Sequence, residues 1–117
     1  MSIKKTNYGS GEEIEFASDI DLISTTEPSS RVTYANEPFC EVANYLESEL
    51  LGKPHNVVRH PDMPQSAFKQ MWKTIQLKES WMGLVKNTRK GGGYYWVSAF
   101  ITPITDAAGN IVEYQSV

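Results

Sequence analysis

Cysteine is nearly absent from this chain of 117 residues: Cys40 stands alone, so no internal disulfide can form and a reducing compartment is the simpler setting. No apolar run approaches the ~20 residues needed to cross a bilayer. The start, "MSIKKTNYGSGEEIEFASDID", lacks the apolar core of a secretory signal. Positive charge is sparse as well, with 11 Lys and Arg against 14 Asp and Glu, a net −3 and a sequence pI of about 5.3. Only "NTRKGGG" resembles a basic loop, and nucleic-acid surfaces need a clustered positive face, so that function ranks low. No P-loop, GxSxG or paired-carboxylate site is present, so nothing points to an enzyme. Neither histidine has a partner at metal-ligand spacing, and a structural zinc site takes four ligands.

What remains is an ordinary core-forming composition. The length suits one domain, and 40% hydrophobic content is enough to pack it. Residues 1 to about 18 are polar and weakly periodic and read as a flexible leader or N-terminal cap, leaving a folded domain over residues 21–117. "DLISTTE" and "RVTYAN", separated by the turn "PSS", read as a pair of short strands. Asn36 precedes Glu37 and Pro38, an N-cap with proline in the first turn. Phe39, Val42, Ala43 and Leu46 follow at the spacing of one buried helical stripe. "ESELLG" predicts a short second helix, capped by Ser48 and ended by Gly52. "PQSAFKQMWKTIQ" predicts a third, with Pro64 near its start and Phe68, Met71, Trp72 and Ile75 on one face. The rest is β: "WMGLVKNT", the loop "RKGGG", "YYWVSAFITPIT", the turn "DAAGN" and "IVEYQSV". The order β-β-α-α-α-β-β-β predicts an α+β fold, a five-stranded antiparallel sheet with helices packed on one face. The chain stops within a strand-like pattern, which reads as a domain cut from a longer protein. Between the second and third helices lies "GKPHNVVRHPDMP", whose prolines exclude regular structure.

The element order, "YLESELLGK" and the late β meander resemble a PAS domain. More closely, "PHNVVRHPDMPQSAF..MW..I", "W.GLVKN.RK" and "YYWV.A" resemble the N-terminal sensory domain of aerotaxis (energy-taxis) receptors, from about Asp21 to Val117. That resemblance implies a sensor that binds FAD non-covalently and reports the redox state of the electron-transport chain. It also implies a cytoplasmic domain of a homodimeric receptor, anchored to the inner membrane by a C-terminal region and acting on the chemotaxis kinase complex.

A flavin needs flat apolar walls, hydrogen bonds to its pyrimidine edge and a place for its phosphates and adenine. Asn87 suits the edge, since an amide both donates and accepts; alternatively it is a strand-end residue satisfied by backbone. Alternation gives it a sheet face with Gly83 and Val85, against Tyr95, Val97, Ala99 and Ile101 on the next strand. Flavin blue-light sensors of this fold place an adduct-forming cysteine where an ungapped match puts His55, and imidazole cannot form that thioether. Cys40 lies on an earlier helix and reads as a small buried hydrophobe.

The same match carries Trp72 onto a position where FMN-binding relatives use a phosphate-binding arginine. An indole offers a stacking platform instead and favours FAD over FMN; alternatively Trp72 is core on its helical stripe. Arg59 suits a pyrophosphate, His60 lies beside it, and Asp62 suits a ribose hydroxyl or the cap of the third helix. Alternatively an Arg59–Asp62 pair fixes a surface loop. The resemblance adds Asn36, Asn56 and Trp81 to the cofactor-binding candidates. Trp96 and Phe100 alternate away from the wall and predict a face for a neighbouring domain. The alternatives are a cofactor-free docking or dimerisation module and a haem gas sensor, the latter disfavoured because both histidines fall in an irregular segment.

Overall fold

The computed structural model describes residues 3–8, 11–17 and 19–117. Its strands and helices are β1 (Ile3–Tyr8), β2 (Gly11–Phe16), β3 (Ser24–Thr26), β4 (Val32–Ala35), α1 (Glu37–Ala43), α2 (Glu47–Leu50), a 3₁₀ turn (His55–Val58), α3 (Gln65–Gln76), β5 (Trp81–Thr88), β6 (Tyr94–Thr105) and β7 (Ile111–Ser116). Five strands form the antiparallel sheet expected from the sequence, in the order β5-β6-β7-β3-β4, with the helices between its two halves. Strands β1 and β2 pair antiparallel, and β2 joins β6 in parallel at Glu13 and Tyr94, which makes the whole sheet mixed. The polar leader therefore carries one strand with an anchor: Ile14 is 2% exposed and packs in the core with Phe39, Val42 and Tyr95. Gly93 permits the junction. It sits at φ +96, and a Cβ there would come within 3.0 Å of the Glu12 carbonyl oxygen.

Local chemistry explains the helix limits. The Asn36 carboxamide oxygen accepts from the Phe39 N–H at 3.0 Å and from the Ile23 N–H at 3.1 Å. Its amide nitrogen donates to the Asp21 carbonyl at 2.9 Å. One side chain thus caps α1 and ties it to the segment entering β3. Asn44, at φ 60 and ψ 38, ends α1 in a left-handed turn. Leu46 consequently leaves the stripe expected of it and stands 68% exposed, while Phe39, Val42 and Ala43 are buried. Ser48 lies inside α2 and does not cap it; the Glu49 carboxylate accepts the Leu46 N–H at 2.9 Å. Pro64 precedes α3 with no side-chain cap, so Asp62 does not serve as one. Met71 and Ile75 on α3 face the sheet and are buried.

Replacing Asn36 by Ala should lower the unfolding free energy by about 1–2 kcal/mol, the cost of a lost N-cap plus one tertiary tie. Urea denaturation of the two proteins checks this; equal midpoints would show that Asn36 is no structural anchor.

Candidate functional site

Between α3, the 3₁₀ turn and the inner face of the sheet lies a cavity of about 410 Å³, within the ~300–1,000 Å³ typical of small-molecule sites. Alternation along β5 and β6 builds its floor. Val85 and Asn87 face inward opposite Val97 and Tyr95, and Ala99 and Ile101 continue the same face. On β7, Tyr114 and Ser116 pair with Pro103 and Ile101 and join that side. Phe68, Met71, Trp72 and Ile75 of α3 form the opposite wall. The Trp72 indole stands edge-on to the Tyr114 ring, with centroids 5.7 Å apart.

Polar groups in this apolar space are few. Asn87 is 6% exposed, borders the cavity, and its carboxamide makes no hydrogen bond of good geometry with the described residues. His55 lines the cavity where its Nε2 lies 3.0 Å from the Ser24 Oγ, and its ring meets Phe39 edge-on. Burial pushes the imidazole pKa below its ordinary value, so His55 is neutral near pH 7. The Arg59 guanidinium lies 4.6 Å over the Phe68 ring at the cavity border and forms no ion pair among the described residues.

The proline-bounded segment splits between two environments. Arg59 bridges to Asn87 on β5, and the His60 N–H donates to the Lys86 carbonyl at 3.1 Å. In an extended segment successive side chains point to opposite sides. Arg59 therefore borders the cavity and His60 does not; His55 and Asn56 reach it from the 3₁₀ turn, and Asp62 stays outside. The His60 ring stands edge-on to Tyr94, and the Asp62 carboxylate takes the Lys86 ammonium at 3.3 Å. That ammonium also lies 4.4 Å from the Tyr94 ring centroid. His60 and Asp62 thus stand outside the cavity lining, and no Arg59–Asp62 pair forms.

Of the other candidates, Trp72, Asn87, Val97 and Ala99 line the cavity, and Asn36, Trp81 and Tyr95 do not. Asn36 is consumed by its structural bonds. Trp81 folds over Gly83, where a Cβ would lie 2.5 Å from the indole. Tyr95 is fully buried in the core beside Phe39 and Val42. Trp96 and Phe100 are 44% and 42% exposed, and Trp96 also borders the cavity, a contact that alternation alone does not give. Sequence reasoning missed Ser24, Phe68 and Tyr114 as lining residues. Strand pairing with β6 was the available signal for Tyr114; Ser24 meets His55 across 31 residues and carries none.

The family model of the PAS fold matches residues 32–117. This chain belongs to the PAS fold family. The aerotaxis receptor of Escherichia coli (strain K12) is 46% identical to the PAS domain over 110 residues, 94% of this chain and 22% of the receptor. A nitrogen fixation regulatory protein of Klebsiella pneumoniae is 30% identical over 92 residues, 79% of this chain and 19% of that protein. The PAS domain thus spans about a fifth of the length of these relatives. A light-oxygen-voltage domain structure, solved in a study of a flavin analogue, superposes with a TM-score of 0.76 at 26% identity, covering 82% of this chain and 73% of that one. The light-state structure of the Aureochrome1 blue-light photoreceptor domain shares the fold, with a TM-score of 0.76 and 23% identity over 82% of this chain and 77% of that one. No helix among the described residues is long and apolar enough to cross a membrane.

The depressed pKa of His55 makes stability depend on pH. The unfolded chain protonates near pH 6.5 while the folded ring resists, so this contribution is complete above that pH and is lost as pH falls below it. Denaturation curves at pH 7.5 and 5.0 should show a smaller acid-induced loss for His55→Gln than for the wild type. Parallel losses in both proteins would contradict this.

Proposed function

We propose that this PAS domain holds FAD in the cavity between α3 and the sheet and reports redox state as part of a chemotaxis signal transducer. The observation that carries the reading is Asn87, a buried carboxamide with free hydrogen-bonding capacity, set in otherwise apolar walls. Such an amide meets the alternating donors and acceptors of a flavin pyrimidine edge. Val97, Ala99 and Ile101 supply a flat wall, and Met71 and Ile75 face them. Bound flavin would supply electron transfer, taking up protons as it is reduced; the protein would supply orientation and exclude water.

The unpaired guanidinium of Arg59 suits a phosphate, through charge and its fork of donors. Trp72 favours the dinucleotide over FMN, because it separates the cavity from a shallow surface depression bordered by Lys69 and Lys73. An indole at that border offers an adenine ring a stacking platform. The similarity to the aerotaxis receptor and to a light-oxygen-voltage domain studied with a flavin analogue supports a flavin as the ligand.

The outer sheet face, where Met82, Leu84, Trp96 and Phe100 are exposed, is the proposed route to a neighbouring signalling domain. We read the domain as a sensor rather than a catalyst, since among the described residues no second cluster beside the cavity suggests a substrate site. In this reading it is a cytoplasmic part of a homodimeric, membrane-anchored receptor upstream of the chemotaxis kinase complex. For a signal to result, oxidised and reduced cofactor must bind the protein's two conformations with different affinity.

Purified protein should be yellow, bleach reversibly with dithionite, and release a chromophore that runs with FAD on thin-layer chromatography. A protein that takes up no flavin refutes the proposal, and release of FMN refutes the assignment of Trp72. Arg59→Gln should weaken FAD binding roughly 10–100-fold, the loss of a charged hydrogen bond, as measured by titration of the flavin-free protein.

A further inference from the structure

Two polar groups on the inner sheet face are left without partners, and they are neighbours. Tyr95 is completely buried, and its hydroxyl makes no hydrogen bond. Asn87 lies directly across from it in the β5–β6 register. The hydroxyl sits beside the Asn87 amide, close enough to be influenced by it but outside hydrogen-bond geometry. Directly opposed side chains in an antiparallel pair start from Cβ atoms only ~4.5–5.5 Å apart. A rotation of the short Asn87 side chain is therefore enough to close the bond. Leaving a buried hydroxyl unpaired is costly, and such a group calls for an explanation. The Tyr95 ring packs in one core cluster with Phe39 and Val42 of α1 and Ile14 of β2.

We propose that Asn87 and Tyr95 form a two-position switch, in which the Asn87 amide bonds either to the group held in the cavity or to the Tyr95 hydroxyl. The inference rests on the flavin reading above. Asn87 borders the cavity and Tyr95 does not, so Tyr95 is a positioning residue that acts through Asn87. Reduction would change the charge, and with it the hydrogen-bonding demand, at the ring edge; the amide would then turn and the orphan hydroxyl gain its partner. The Tyr95 ring would then pass the change to Val42 of α1 and Ile14 of β2, which pack in the same core cluster and lie outside the cavity lining. The alternative partner is already built into the core, and this makes the element bistable rather than continuously deformable.

The test is an infrared difference spectrum, dithionite-reduced minus oxidised, of flavin-loaded protein with and without isotope-labelled tyrosine. The wild type should show a label-sensitive tyrosine ring–oxygen band that Tyr95→Phe abolishes. Asn87→Ala, reconstituted at saturating FAD, should abolish it too, which keeps the idea exposed if Tyr95→Phe folds poorly. Flavin-loaded wild type with no tyrosine band, or a band unchanged in Tyr95→Phe, overturns the switch and leaves the flavin reading standing. A wild type that takes up no flavin overturns both.

Discussion

The cavity depends on one short backbone pairing. Arg59 bridges to Asn87, and the His60 N–H reaches the Lys86 carbonyl at 3.1 Å, joining the proline-bounded segment to the free edge of β5. This contact brings α3 back over the inner face, so that Met71 and Ile75 stand opposite Val85 and Val97 without closing onto them. A backbone hydrogen bond contributes only about 1 kcal/mol, but here it fixes direction as well. The prolines at 61 and 64 restrict the residues before them to extended conformations, and the extended segment sorts its side chains by side. Arg59 is delivered to the cavity; His60 and Asp62 are delivered to Lys86 and Tyr94 on the other side. One edge contact therefore closes the site and couples it to the outer sheet face.

The same economy runs through the sheet. β5 and β6 carry the cavity floor on one face and the exposed apolar row of Met82, Leu84, Trp96 and Phe100 on the other. A change at Asn87 is thus one residue from Lys86 and its contacts with Asp62 and Tyr94. Tyr95 offers a second direction, inward to α1 and Ile14. A sensory domain needs such paths, because electron transfer at a buried group moves no backbone unless a hydrogen bond or a packed side chain has two arrangements to choose between.

Much of this was legible in the sequence. Strands β5, β6 and β7 follow from alternation and the glycine-containing turns, and α3 from its apolar stripe. Asn36 announces α1 by its place before Glu37 and Pro38. The inward set Val85, Asn87, Val97 and Ala99 follows from parity alone once the strands are placed. What stayed hidden turns on single dihedral angles or on contacts between distant residues. The left-handed Asn44 ends α1 early and releases Leu46 to solvent. The fate of His60 and Asp62 depends on which edge their segment pairs with, and composition carries no trace of that. Ile14 and Phe16 lie within a polar leader, and only a parallel contact with β6, 81 residues downstream of Glu13 at Tyr94, gives them a place. Asn36 shows the opposite limit: a residue type suited to a ligand is engaged instead by a cap and by two ties to the segment entering β3.

The central claim is that the Asn87 cavity is a flavin site, and a crystal structure of the protein purified with its chromophore tests it most directly. The account predicts flavin density between α3 and β6, with the pyrimidine edge of the ring within hydrogen-bond distance of the Asn87 carboxamide and phosphate oxygens at Arg59. A flavin bound elsewhere, or turned so that its dimethylbenzene edge meets Asn87, would contradict it.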